Sequence, residues 1–136
     1  MRIAAERDDK GEIVKALLEE IIAFNREAAG VGRGAEIVVT MRDDDGKLKG
    51  GVWGHVTADS AYFDIAVLSA HLRGSGNGRA LMAAEAEAQR LGARDVWLCT
   101  MSWQARPFYE KLGYRCVAEQ SYMGGKHKRL FMAKDL

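Results

Sequence analysis

The chain has 136 residues, 48% of them apolar, which suits one domain of the usual roughly 100–200 residues and a core that needs no disulfide or metal staple. Twenty basic and nineteen acidic residues leave a net charge of +1, which excludes electrostatic binding of nucleic acid by the chain as a whole. The charged N-terminus and the lack of any apolar run of membrane length lead us to expect a soluble cytoplasmic protein with no membrane partner.

The first element is a helix. Val14, Leu17, Leu18, Ile21 and Phe24 recur at spacings of three and four, which predicts one apolar helical face over about residues 9–28. The β-branched run Ile37-Val38-Val39-Thr40 then predicts a strand, Asp43-Asp44-Asp45-Gly46 a hairpin turn, and Lys47 to Thr57 a returning strand weakened by Gly50, Gly51 and Gly54. Tyr62-Phe63-Asp64-Ile65-Ala66-Val67-Leu68 is a third strand that leads into a glycine-rich turn. Beyond it Leu81, Ala84, Ala88 and Leu91 form a helical stripe closed by Gly92. Val96-Trp97-Leu98-Cys99-Thr100 is a continuous apolar run, which predicts a strand buried on both faces. Pro107 opens a short helix ended by Gly113, and two last strands fall near residues 114–118 and 128–133. Cys99 and Cys116 sit in apolar segments and are expected to pack as core residues in a reducing compartment. The alternation of helices and strands predicts a single α/β domain over residues 1–136 with a mixed sheet.

Gly74, Gly76 and Gly78 alternate between a strand and a helix. Glycine lets the backbone approach a ligand and aim successive N–H groups at it, and the start of the next helix adds a positive end, so the turn suits phosphates. Arg73 and Arg79 flank it and can each add a charge-assisted contact worth about 1.5–3 kcal/mol. No Lys-Ser or Lys-Thr follows the last glycine, so this is not a nucleotide P-loop; the dinucleotide fingerprint fails on spacing and on its distal acidic residue.

Arg73-Gly74-Ser75-Gly76-Asn77-Gly78 resembles the Arg/Gln-x-x-Gly-x-Gly/Ala loop of GNAT-type N-acetyltransferases. Ala105-Arg106-Pro107-Phe108-Tyr109-Glu110-Lys111-Leu112-Gly113-Tyr114 is similar to that family's second motif. The tail from Gly125 to Phe131 resembles small stand-alone members. Ser69-Ala70-His71 departs from the family's usual Pro-acidic pair ahead of Arg73, and Ser102 stands near a common Asn. The resemblance implies an α/β fold with a mixed, mostly antiparallel central sheet flanked by helices, the CoA loop lying between the fourth strand and the following helix. It implies acetyl-CoA as the acyl-donor co-substrate and no metal. Residues 73–79 would hold its pyrophosphate, Val67 and Leu68 would border the thioester where the strand splays, and a backbone N–H near Leu68 would polarise the carbonyl. Gln104 would lie near the CoA arm and Tyr109 beside the sulfur. Dimers are common among relatives, so a homodimer is compatible.

Direct acetyl transfer to an amine needs a neutral amine, and an alkylammonium near pKa 10.4 costs roughly 4–5 kcal/mol to deprotonate at neutral pH. Asp64, between apolar Phe63 and Ile65, is our candidate base; His55, His127 or a water chain are its rivals. Tyr109, a phenol protonated at neutral pH, is the candidate donor to the leaving thiolate. Trp53, Trp97 and Trp103 read as core or as the wall of an acceptor pocket. The expected function is N-acetyltransfer to a primary amine of a small molecule or peptide, with a catalytically silent acyl-CoA-binding module as the alternative.

Overall fold

The computed structural model describes residues 1–67 and 76–136. They form two compact units, Met1–Arg33 and Gly34–Leu136.

The first unit holds α1 (Glu12–Ala29). Asp8 caps it from outside: its carboxylate accepts the N–H groups of Ile13 at 3.0 Å and Val14 at 2.9 Å. Two of the donors that a helix start leaves unpaired are thereby satisfied. Gly30, left-handed at φ 70°, ends the helix.

The second unit runs β1 (Ala35–Arg42), β2 (Leu48–Thr57), β3 (Ser60–Val67), α2 (Asn77–Arg90), β4 (Asp95–Met101), α3 (Arg106–Lys111), β5 (Arg115–Tyr122) and β6 (His127–Asp135). The strands form one six-stranded sheet in the order β1-β2-β3-β4-β6-β5. Its pairs are antiparallel apart from β3 with β4, so the expected mixed, mostly antiparallel sheet is present. A parallel pair needs a crossover, and the stretch that contains α2 supplies it. The strand leading toward the glycine-rich loop is thus third along this chain rather than fourth.

Leu81, Ala84 and Ala88 of α2 are buried with Ile37, Val52, Phe63, Val96, Leu98 and Met132 of the sheet. The small side chains at four-residue spacing bring the helix close beneath β1 and β2. β4 departs from expectation. It is not buried on both faces but alternates, with Val96, Leu98 and Thr100 inward and Trp97 40% exposed. Alternation is the mark of a strand with only one face in the core. Cys99 and Cys116 are likewise half-buried rather than sealed inside. Among the described residues no helix is long and apolar enough to cross a membrane.

Candidate active site

β3 and β4 pair only over residues 60–63 with 95–98. Where that pairing stops, β3 carries an extra residue: Gly54 of β2 faces Phe63 and Trp53 faces Ile65, which leaves Asp64 without a partner on β2. Such a bulge bends its strand and re-aims the extra side chain. Gly54 permits it, because a Cβ there would strike the Tyr62 carbonyl and come within 3.0 Å of the Phe63 Cα.

A cavity of about 400 Å³ opens in the gap between the parted strands. Leu98 and Thr100 line it from the core side of β4, while Cys99 lines it from the opposite side. Since successive side chains of a strand point to opposite faces, the cavity passes through the sheet. Asp64 reaches it from β3, and Gln104 and Tyr109 reach it from the segment that follows β4.

Tyr109 is 6% exposed, and burial raises its phenol above the ordinary range, so it stays protonated. Phe108 and Tyr114 meet its ring edge-on at 5.3 and 5.7 Å. Tyr114 is pinned in turn: its hydroxyl donates to Glu85 Oε1 at 2.9 Å, and Lys134 Nζ donates to Glu85 Oε2 at 2.8 Å. Gln104 Oε1 accepts the Thr100 hydroxyl at 2.9 Å and the Met101 N–H at 2.8 Å. Its carbonyl is therefore spent on fixing the end of β4, while its NH₂ remains as a donor. Burial pushes the Cys99 thiol up, with only partial relief from the Arg129 charge. A thiol so placed is a poor nucleophile.

Asp64 does not stand alone. Its Oδ2 lies 2.9 Å from His55 Nδ1. The bulge brings these two together across β2 and β3, a pairing the sequence did not disclose. Gly54, next to His55 and opposite the bulge, was its one visible sign. His127 is placed elsewhere, edge-on to Trp103 at 4.8 Å and 3.4 Å from the Ser102 hydroxyl. Trp53, Trp97 and Trp103 are not core residues: they are 43%, 40% and 51% exposed. Trp97 stacks on Tyr62 at 4.0 Å, and Trp53 donates its indole N–H to Glu36 at 2.8 Å.

Of the expected donor-binding residues, Gly76 precedes α2, and Asn77, Gly78 and Arg79 form its start, with Asn77 buried and Arg79 exposed. Val67 lines a second hollow, with Val38, Trp53 and Ile65, rather than the central cavity. Leu68, Arg73, Gly74 and Ser75 lie outside the described residues.

Comparison with known proteins converges on one family. The family model described as "Acetyltransferase (GNAT) domain" matches residues 33–116. An acetyltransferase of Agrobacterium fabrum is 30% identical over 104 residues, 76% of each chain. A blasticidin-S acetyltransferase of Streptomyces morookaense is 31% identical over 86% of this chain and 83% of its own. A crystal structure from Agrobacterium tumefaciens, assigned as an acetyltransferase, superposes with TM-score 0.89 over the whole of both chains at 23% identity. An aminoglycoside 6′-N-acetyltransferase complexed with coenzyme A shares the fold, with TM-score 0.64 at 17% identity over 98% of this chain and 97% of its own.

Proposed function

This chain belongs to the GNAT acetyltransferase family and is an acyltransferase, and from that premise we propose that it moves an acetyl group from acetyl-CoA directly to a primary amine of a small molecule or peptide. One observation carries the proposal: Asp64 from β3 and Tyr109 from α3 line the same cavity, opened through the sheet between β3 and β4. A site for two reactants needs access for both, and a passage with a carboxylate on one strand and a phenol behind the other supplies it.

In this reading the donor's pyrophosphate rests on residues 73–79, where the N–H groups at the start of α2 favour an anion. Its amide-bearing arm lies between β3 and β4, whose facing edges have no mutual pairing beyond Phe63 and Leu98. Edge N–H and C=O groups there are ready for an extended ligand. The Gln104 NH₂ serves the same arm. A backbone N–H near the end of β3, at Val67 or Leu68, polarises the thioester carbonyl.

The acceptor enters as an ammonium ion on the Asp64 side of the cavity and gives up a proton there. Its nitrogen lone pair attacks the carbonyl carbon, the C–S bond breaks, and Tyr109 donates its phenolic proton to the departing sulfur. Similarity to a blasticidin-S acetyltransferase favours a small-molecule acceptor. Release of free thiol, followed across a panel of amines with acetyl-CoA present, tests the proposal. Turnover with at least one amine is expected. Tight acetyl-CoA binding with no turnover on any amine would instead identify an acyl-CoA-binding module.

A further inference from the structure

We propose that His55 takes the proton lost by the acceptor amine, and that Asp64 is the positioning residue that holds the imidazole ready for it. The proposal rests on the acetyl-transfer reading above and assigns the step that reading leaves open.

A carboxylate alone is a poor base for this task. An alkylammonium near pKa 10.4 is roughly six to seven powers of ten weaker as an acid than an ordinary aspartic acid, but only about four powers weaker than an imidazolium. The cavity shows a carboxylate in its wall, and that carboxylate is bonded to an imidazole at 2.9 Å. The His55 side chain is 43% exposed and that of Asp64 25%, so the ring can return a proton to solvent while the carboxylate faces the cavity.

The groups around the ring fix its state. Asp64 accepts from Nδ1, which selects the tautomer with a bare Nε2. Glu36 of β1 stands opposite His55 in the strand register, yet its Oε1 already accepts the Trp53 indole N–H. Tyr62 of β3 presents its ring to the imidazole at 5.9 Å. Its phenol is held neutral, chiefly by burial and secondarily by the Asp64 charge. Among the described residues, the ionisable groups that face the ring are therefore two carboxylates and a neutral phenol.

The step balances as follows. One N–H bond of the ammonium breaks, and its proton passes through a bridging water to Nε2. The electron pair stays on the amine nitrogen, which attacks the thioester. The imidazolium that forms is paired with Asp64 until its proton leaves to bulk water. A bland surface ion pair would have the same geometry but no effect on the reaction.

The decisive variants are His55→Gln, which keeps an N–H for Asp64 but cannot take a proton, and Asp64→Asn. Turnover is measured against pH on the full chain with acetyl-CoA and an accepted amine. His55→Gln is expected to lose about tenfold or more in kcat at neutral pH, with the KM for acetyl-CoA unchanged. Its rate should keep climbing with pH where the wild type levels off, because only free amine then reacts. In ¹⁵N spectra at mildly alkaline pH, wild-type His55 should carry its proton on Nδ1, and Asp64→Asn should show mixed tautomers. A wild-type pH profile in His55→Gln, or an Nε2-protonated ring in the wild type, overturns the relay while leaving acetyl transfer intact. A wild type that binds acetyl-CoA but acetylates no amine overturns both.

Discussion

The hydroxyl of Tyr114 donates to the carboxylate of Glu85 inside the core, 2.9 Å away, and this bond holds the aromatic edge against which Tyr109 rests. Burial first, and then the Glu85 charge, keep the Tyr114 phenol well above the usual range. Removing the hydroxyl with Tyr114→Phe leaves Glu85 bonded, among the described residues, to Lys134 alone. The loss of one hydrogen bond to a charged group is expected to cost about 1.5–3 kcal/mol, read as a lower urea midpoint at neutral pH.

Alkali should expose the same chemistry. Tyr109 and Tyr114 both have raised values in the fold, so the unfolded chain loses those protons first, near the ordinary phenol value of about 10. Their contribution to stability is complete below that pH and drains away as pH climbs beyond it. Urea midpoints measured across this range should hold steady and then fall, less steeply in Tyr114→Phe.

Tyr109→Phe keeps the buried ring and its edge contacts but removes the proton that the proposed mechanism gives to the sulfur. Turnover is expected to drop by about a hundredfold, while calorimetry shows acetyl-CoA bound nearly as tightly as before. Unchanged turnover would take Tyr109 out of the mechanism.

If residues 73–79 hold the donor as proposed, Gly76 and Gly78 separate ligand binding from folding. Gly76 has φ −135°, which other residues also adopt. Among the described residues, a Cβ at Gly76 would meet only the Met41 methyl at 3.4 Å, and one at Gly78 only Leu112 at 3.9 Å. The described residues therefore leave room for alanine at both. Gly78→Ala is expected to leave thermal stability equal or higher by up to about 1 kcal/mol, yet to weaken acetyl-CoA binding about tenfold by keeping the phosphate from the backbone, a loss near 1.4 kcal/mol. Equal affinity in a calorimetric titration would remove these glycines from the donor site.

Gly54 is the reverse case. Alanine there collides with the backbone of β3 at Tyr62 and Phe63, at a cost of about 1–3 kcal/mol. It should also shift Asp64 off His55, so acetyl transfer should fall further than stability does. An assay on protein shown to be folded by circular dichroism checks this.

Acid should loosen the start of α1. Bonds from the Val14 and Ile13 N–H groups lower the Asp8 carboxyl below its ordinary value, so the cap is present above the unfolded value of about 3.9 and is lost as pH drops through the folded one. Amide exchange at Ile13 and Val14 should quicken across that interval, and Asp8→Ala should show the fast rate at neutral pH.

The order of elements was legible because it rests on local signals. Gly113 and Pro107 bracket α3, and Leu81, Ala84 and Ala88 mark the buried stripe of α2. Asp64 and Tyr109 were readable as candidates, one from its place in a strand and one from a motif. Their meeting in one cavity was not, since it depends on where β3 and β4 stop pairing. The His55–Asp64 bond was hidden for the same reason: a bulge changes register by one residue, and periodicity along a single strand does not report its neighbour's register. The tryptophans stood open between core and pocket wall because composition cannot tell a large ring in the core from one on an open strand face, and their exposure removes the first. Glu85 gave no warning at all, being a charged residue in an alanine-rich helix whose partners lie 29 and 49 positions away.

The place of β6 has a consequence for assembly. It follows β5 along the chain, yet it lies between β4 and β5 and bonds to both. Synthesis therefore delivers β1 to β4 with a bare border on β4, and β5 with nothing to lean on, until β6 comes between them. Birth order and building order differ, and the cavity between β3 and β4 is flanked by a strand whose outer border is covered only after β5 and β6 have both been made.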